Sequence, residues 1–333
     1  MKFRNACTRF CNLTLIVAGL VGGGSTLAIA KENAATEKLA IKKMRDPGTL
    51  AITVGESQFA FLNIADFKKP IVFPIYGPGQ VPMTRNHPML PGVSGEAGDH
   101  KHHKSMWFGH GDINGVSFWH EQGRIVHDRI EKIDNAPESP SVTMKSKLIG
   151  PDGKLVATET EKLTFRATPD ARMIDWDVTI HASEGELKFG DTKEGMMAIR
   201  THPNLRLDGD VANGSAVNSE GGSGGSIWGK AAKWVDYHGK IDGKSVGIAI
   251  FDHPQNLRHP TRWHARTYGL VAANPFGLSH FVGKDQDGAH VVPEGESLRF
   301  RYRFVFHKGT TEEAGVSGLY DEYAKTDLVA EEN

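Results

Sequence analysis

Residues 98–115, GDHKHHKSMWFGHGDING, hold four histidines (His100, His102, His103 and His110) between Asp99 and Asp112, with Trp107 and Phe108 among them. Imidazole changes charge near neutral pH and is a common metal ligand, so this run is suited to acid–base or metal chemistry. In an extended segment His100 and His102 face one way and His103 the other. An H-x-H pair of that kind can bind a metal through two imidazoles. A cupin-type site begins similarly, but where its carboxylate ligand belongs this chain reads Lys104-Ser105-Met106-Trp107. A divalent metal on His100, His102 and His110 is therefore the alternative to a metal-free acid–base site, and no other cofactor is indicated.

Three other stretches concentrate polar and aromatic groups. FDHPQNLRHPTRWHARTYGLVAANPFG (251–277) is proline-punctuated and a poor strand, which reads as a ligand-binding loop on a rigid scaffold. In it Trp263 offers an indole face to a sugar ring, while His264, Arg266 and Asn274 offer hydrogen bonds to hydroxyls. GDTKEGMMAIRTHPNLR (190–206) carries Glu194, Arg200 and His202, and a Glu opposite a His is what proton transfer at a sugar carbon or oxygen uses. YGPGQVPMTRNHPM (76–89) places Arg85 and Asn86 in a Pro/Gly-rich passage. The roles assigned are His102 or His110 as acid or base, Glu194 as partner carboxylate, Arg85 and Arg200 as holders of oxygens, Trp263 as stacking platform, and Asn86, His202, His264, Arg266 and Asn274 as further substrate contacts.

The elements that must position these groups are strands. TLAITVG, QFAFLNI, IVFPIY, SVTMKSKLI and SVGIAIFD are short, rich in β-branched and aromatic residues, and separated by Gly, Pro, Asn and Asp. In RMIDWDVTI, Ile174, Trp176 and Val178 point one way and Met173, Asp175 and Asp177 the other, so Trp176 belongs to the core. ESLRFRYRFVFH puts Leu298, Phe300, Tyr302, Phe304 and Phe306 on one face and Arg299, Arg301 and Arg303 on a solvated one. Pro151-Asp152-Gly153 and Asp242-Gly243 predict hairpin turns. Thr310-Thr311-Glu312-Glu313 offers a capping box to a C-terminal helix with Val316, Leu319, Tyr320 and Tyr323 on one side. The fold class expected is all-β, a large antiparallel β-sandwich with a C-terminal helix.

Lys2, Arg4 and Arg9, the apolar LTLIVAGLVGGGSTLAIA and the A-x-A site at 28–30 read as a signal peptide over residues 1–30, so a periplasmic or secreted location is expected. Residues 31–47 read as a polar lead-in and 48–333 as one domain. Both cysteines, Cys7 and Cys11, fall in the signal segment, which leaves no disulfide or thiolate site in the mature chain. Without Lys2, Arg4 and Arg9 the balance is 36 basic to 40 acidic residues, or −4. That balance argues against a nucleic-acid partner and for a small-molecule or oligosaccharide ligand. The mature chain has no run of about 18 apolar residues that could span a membrane, and no P-loop or dinucleotide-binding fingerprint occurs.

YGPGQVPMTRNHPM, GDHKHHKSMWFGHGDINGVSFW, GRIVHDRI, FGDTKEGMMAIR and RHPTRWHARTYGLVAANPFG together resemble the exported bacterial "PmoA family", labelled methane oxygenase PmoA, over residues 50–308. That resemblance implies a carbohydrate context and carries no catalytic assignment; its label implies oxygenase chemistry. The layout of strands and histidine-bearing loops also resembles the galactose-mutarotase-like supersandwich. The leading expectation is an exported carbohydrate-active protein that performs epimerisation, elimination or hydrolysis by acid–base chemistry. A non-catalytic carbohydrate-binding module and a His-ligated metalloenzyme are the alternatives.

Overall fold

The computed structural model describes residues 38–46, 48–90 and 92–326, and the signal peptide expected over 1–30 lies outside them. Two eight-stranded sheets make up the body. The first runs, edge to edge, β1 (Leu39–Lys43), β2 (Thr49–Val54), β3 (Ser57–Asn63), β4 (Ile71–Ile75), β5 (Met106–Phe108), β11 (Met197–Arg200), β16 (Leu270–Asn274) and β15 (Arg262–Ala265). The second runs β12 (Ser215–Asn218), β13 (Trp234–Ile241), β14 (Lys244–Asp252), β18 (Ser297–Lys308), β9 (Ala171–His181), β8 (Leu155–Ala167), β7 (Ser141–Ile149) and β6 (Arg124–Asp134). A short pair, β10 (Leu187–Phe189) with β17 (His290–Val292), and two helices, α1 (Leu278–Phe281) and α2 (Val316–Tyr323), complete it. Neighbouring strands are antiparallel in both sheets. The fold is the expected all-β antiparallel sandwich with a C-terminal helix.

Period-two alternation builds the core. Ile52, Met106, Phe108 and Ile199 of the first sheet join Trp176, Ile250, Phe300 and Phe304 of the second in one buried apolar cluster. The Asp242-Gly243 turn closes β13 onto β14 with both residues at positive φ, 49° and 77°, the geometry of a two-residue hairpin. None of the described helices is long and apolar enough to cross a membrane.

Two expectations need correction. The lead-in contains strand β1, because Leu39 and Ile41 alternate with polar neighbours and bury against β2. The arginine face of β18 is not solvated throughout: Arg301 and Arg303 are each 7% exposed. Arg303 donates to Asp175 at 2.8 Å and lies 4.7 Å from the Tyr323 ring of α2. The capping box forms, with Thr310 N donating to Glu313 and Glu313 N to Thr310 Oγ1, and the helix proper begins one turn later at Val316.

On β8, Glu159 and Glu161 point into the interior with Ala157, Leu163 and Phe165. Trp176 Nε1 donates to Glu161 at 3.1 Å, whereas neither oxygen of Glu159 is hydrogen-bonded among the described residues. Burial pushes Glu161 up to about 8 and Glu159 well above its ordinary range, so both are neutral acids at pH 7. A carboxyl raised on folding stabilises the native state fully below its unfolded value near 4.5 and loses that contribution as pH rises through its folded value. Thermal stability of the wild type is expected to fall between about pH 5 and pH 8, and Glu161→Gln to flatten the fall, by more than about 1 kcal/mol at the upper end; parallel slopes in denaturation scans of the two proteins would refute this.

Candidate functional site

The outer face of the first sheet carries a row of side chains across four strands. Trp107 on β5 pairs with Ala198 on β11, Ala198 with Ala272 on β16, and Ala272 with His264 on β15. Two alanines thus make a low floor between an indole and an imidazole. The alternate residues, among them Met106, Ile199, Ala273 and Trp263, point into the core. Trp263 is therefore not a stacking platform: it is fully buried and its Nε1 donates to Ala232 O at 2.9 Å. The stretch read as a loop over 251–277 contains two paired strands, and strand alternation turns His264 outward and its neighbour inward.

Over this floor lies the histidine run, held by Arg85. That guanidinium is 2% exposed and donates to the carbonyls of Ala97, Asp99, His100 and His103 and to Asp99 Oδ1. Arg200, 1% exposed, donates to both oxygens of the same Asp99 at 3.1 and 3.3 Å. Burial opposes the Asp99 charge, but Arg200, His100 and Arg85 outweigh it and hold the carboxyl down at about 2. Arg85 and Arg200 are thus spent on the loop rather than presented to a ligand.

The run is a turn, not a strand. His103 N donates to His100 O at 2.9 Å and His100 has φ 43°, so the expected H-x-H face does not form. Instead the rings of Tyr268, His100, His103 and Trp107 stack in a column, with centroids 5.4, 4.7 and 5.3 Å apart. His102 leaves the column edge-on to His103 and meets His120 at 4.9 Å. Arg200 Nη1 lies 3.2 Å from His103 Nδ1; a guanidinium only donates, so Nδ1 accepts and the proton sits on Nε2. A second shared carboxylate fixes the other side: Glu121 pairs with Lys104 and, at 3.2 Å, with Lys69. Lys69 also donates to His102 O and Trp119 O, and burial brings it down to about 8.

Glu194 arrives on the loop before β11, partly buried, with Lys193 Nζ at 2.6 Å. Burial pushes its carboxyl up, yet Lys193, His264 and His120 together bring it below the ordinary range. His264 Nδ1 donates to Lys193 O at 2.8 Å, which leaves the Nε2 lone pair unprotonated. Burial lowers His264 to about 4, with Glu194 acting against it. Burial, then His120 and Lys69, lower His102 to about 4, and burial also lowers His120. Three neutral imidazoles therefore neighbour one ionised carboxylate at pH 7.

Of the residues singled out in the sequence, His102, Glu194 and His264 meet here, with Arg266 beside them. His110 does not: it is fully buried against Phe189 and Phe276, and its Nε2 donates to Gly190 O at 2.9 Å. It supports the 190–195 loop from below, where a Cβ at Gly195 would lie 2.5 Å from its Nδ1. Asn274 is likewise buried and ties Thr192 O and Phe276 N to β16. His202 caps the turn at 203–205 through Asn204 N, and Asn86 is held by Glu96. Among the described residues no three His, Cys, Asp or Glu side chains are placed to hold a metal ion, so His100, His102 and His110 are not a ligand set. His120, Lys193 and Tyr268 were not picked out from the sequence. Each stands apart from the others along the chain, and only the fold of the loops brings them in.

The match to a family model runs from residue 49, at the start of β2, to residue 321, within α2, and takes in every residue of this site. The chain belongs to a family of unknown function (DUF6807). No curated protein matches it. Among solved structures it is similar to a galactose mutarotase-like protein from Lactobacillus casei ATCC 334, at 10% identity and TM-score 0.36, over 80% of this chain and 100% of that one. It is similar to the GH36 alpha-galactosidase AgaB from Geobacillus stearothermophilus at 9% identity and TM-score 0.36, over 83% of this chain and 42% of that one. A galactose mutarotase related enzyme from Lactobacillus acidophilus matches at 7% identity and TM-score 0.31, over 81% and 98% of the two chains. These are distant likenesses.

Asp99→Asn leaves two buried guanidiniums sharing a neutral amide. It is expected to cost about 1–2 kcal/mol at pH 7, less than a fully buried pair because Asp99 is 36% exposed. A carboxyl depressed on folding stabilises above its unfolded value, and this contribution is lost as pH falls through about 2. The difference between wild type and variant in urea titrations should therefore shrink below about pH 4; an equal difference at pH 3 and pH 7 would contradict it.

Proposed function

We propose that this face is the active site of an exported carbohydrate-active enzyme that moves protons on a sugar. The observation that carries the proposal is the grouping of His102, His120 and His264, all neutral at pH 7, around the ionised Glu194. A neutral imidazole with a free Nε2 can take a proton, and an adjacent carboxylate stabilises the imidazolium that forms. His264 fits the base best, because the Lys193 carbonyl fixes its tautomer. His102 and His120, in ring contact, fit groups that hydrogen-bond the other side of the ligand and relay a proton between it and water. The exposed edge of His100, the part-exposed Tyr268 and the hydrogen-bonding groups around them suit the mixed apolar and hydroxyl surface of a sugar ring. Epimerisation, elimination and hydrolysis all draw on this set. Export rests on the N-terminal apolar segment and its A-x-A site.

The test is turnover on an oligosaccharide panel, with binding by calorimetry and product analysis run side by side. His264→Gln, His102→Gln and Glu194→Gln are each expected to lower kcat about 100-fold or more without loss of fold. In the wild type, turnover should be flat from about pH 6 to pH 8 and decline only as the pH approaches the value of about 4 at which His264 takes its proton. Affinity without any product would make the protein a binding module. Undiminished turnover in all three variants would remove this site from the chemistry.

A further inference from the structure

The overall charge of the chain hides a local excess of the opposite sign. Arg85 and Arg200 share Asp99, and Lys69 and Lys104 share Glu121, so each of these carboxylates answers two cations. Lys193 has Glu194 to itself. Arg266 has no carboxylate or hydrogen-bond acceptor for its guanidinium among the described residues. It is half-buried between two rings, 5.6 Å from Tyr268 and 5.9 Å from Trp228. It lies two residues after His264 at the end of β15, where its backbone N donates to Leu270 O, and its charge acts on His264 and Tyr268. With the imidazoles neutral, the buried and half-buried groups just named count more cations than anions, and among them Arg266 is the one without an anion, a guanidinium held in place by aromatic faces beside the base.

We propose that the ligand is an anionic saccharide containing uronate residues, and that Arg266 receives the sugar carboxylate. The inference rests on the carbohydrate reading above and narrows it. A guanidinium presents two parallel N–H donors that match the two oxygens of a carboxylate, and rings on either side limit its rotamers. Neutralising that carboxylate also acidifies the carbon–hydrogen bond next to it, at C5 of the uronate. His264 Nε2 takes the C5 proton and the electron pair is held by the carboxylate on Arg266. The pair then returns to a proton that water delivers to the opposite face of C5, which inverts the centre, and the proton on His264 passes back to the hydroxide left behind. Otherwise it forms a C4=C5 double bond while the C4–O bond breaks and the departing oxygen takes the proton that His264 removed. Either course balances without an oxidant or a reductant. The choice of reaction class follows from the ligand: an acidified proton is what a set of neutral imidazole bases can remove.

The full mature chain is titrated by calorimetry with oligogalacturonate, oligoglucuronate and alginate oligomers, with neutral cello- and galacto-oligosaccharides of equal length, and with κ-carrageenan oligosaccharides, which carry sulfate and no carboxylate. The expected result is that at least one uronate series binds about tenfold or more tighter than its neutral counterpart and loses that margin at high salt. Arg266→Met should abolish the margin, lowering uronate affinity by about tenfold or more and neutral-sugar affinity by clearly less, and Arg266→Lys should restore part of it. Turnover should yield either an inverted C5 centre, read by solvent deuterium incorporation, or a C4=C5 unsaturated uronate, read by its ultraviolet absorbance. Equal binding of neutral and uronate oligomers, or a preference for carrageenan, would overturn the carboxylate inference and leave a carbohydrate site standing. So would a uronate preference that survives Arg266→Met. Failure of every oligosaccharide to bind would overturn both.

Discussion

One carboxylate between two buried guanidiniums holds the site together. Arg85 comes from the segment after β4 and Arg200 from the end of β11, and Asp99 belongs to the loop that crosses above them. Arg85 alone reaches four carbonyls and one carboxylate oxygen of residues 97–103. Without the Asp99 charge, two nearly inaccessible cations would face each other with only carbonyl dipoles between them. With it, the loop is drawn down onto the sheet and its imidazoles are aligned. Arg200 then sets the protonation of His103 by donating to Nδ1, and His103 lies between His100 and Trp107 as the middle of a rigid column. Electrostatics thus fixes the position of the aromatic groups, and the aromatic stack orients what remains exposed.

The two faces of the first sheet divide the work. The inner face, with Met106, Phe108, Met197 and Ile199, belongs to a core that joins both sheets. The outer face trades bulk for access: Ala198 and Ala272 occupy the middle of the row where larger side chains would fill the space between Trp107 and His264. Strands supply the floor and His264, Arg266 follows directly on β15, and three loops, at 97–105, 117–123 and 190–195, supply the other groups that can move protons or meet charge. His110 and Asn274 serve the last of these loops from beneath. Catalytic or binding groups on loops over a rigid sheet are a common division of labour.

Much of this was readable from the residues. Alternation in RMIDWDVTI and ESLRFRYRFVFH placed Trp176 and the β18 aromatics in the core, where they are. The histidine-dense run does form part of the candidate site, and Glu194 and His264 join it from more than 90 and 160 residues away along the chain. What failed did so for identifiable reasons. The H-x-H reading assumed extended backbone, but a turn at His100, with Asp99 before it held by Arg85 and Arg200, sets a different spacing, in which His100 and His103 stack on each other. Trp263 looked like a platform because it sits beside His264, yet neighbours in a strand point to opposite faces. Arg85 and Arg200 looked like ligand groups because their burial, and the single carboxylate they share, depend on a contact that sequence order does not show. The local charge excess was masked by a total balance close to neutral.

Convergent burial keeps these imidazoles neutral and in fixed tautomers. Nitrogen-15 chemical shifts of the histidine rings, followed from about pH 7.5 to about pH 5, test it without knowledge of the ligand. His102 and His264 are expected to stay uncharged across that range, His264 with its proton on Nδ1 and His103 with its proton on Nε2. Rings that titrate near the ordinary value of about 6.5 with mixed tautomers would contradict it.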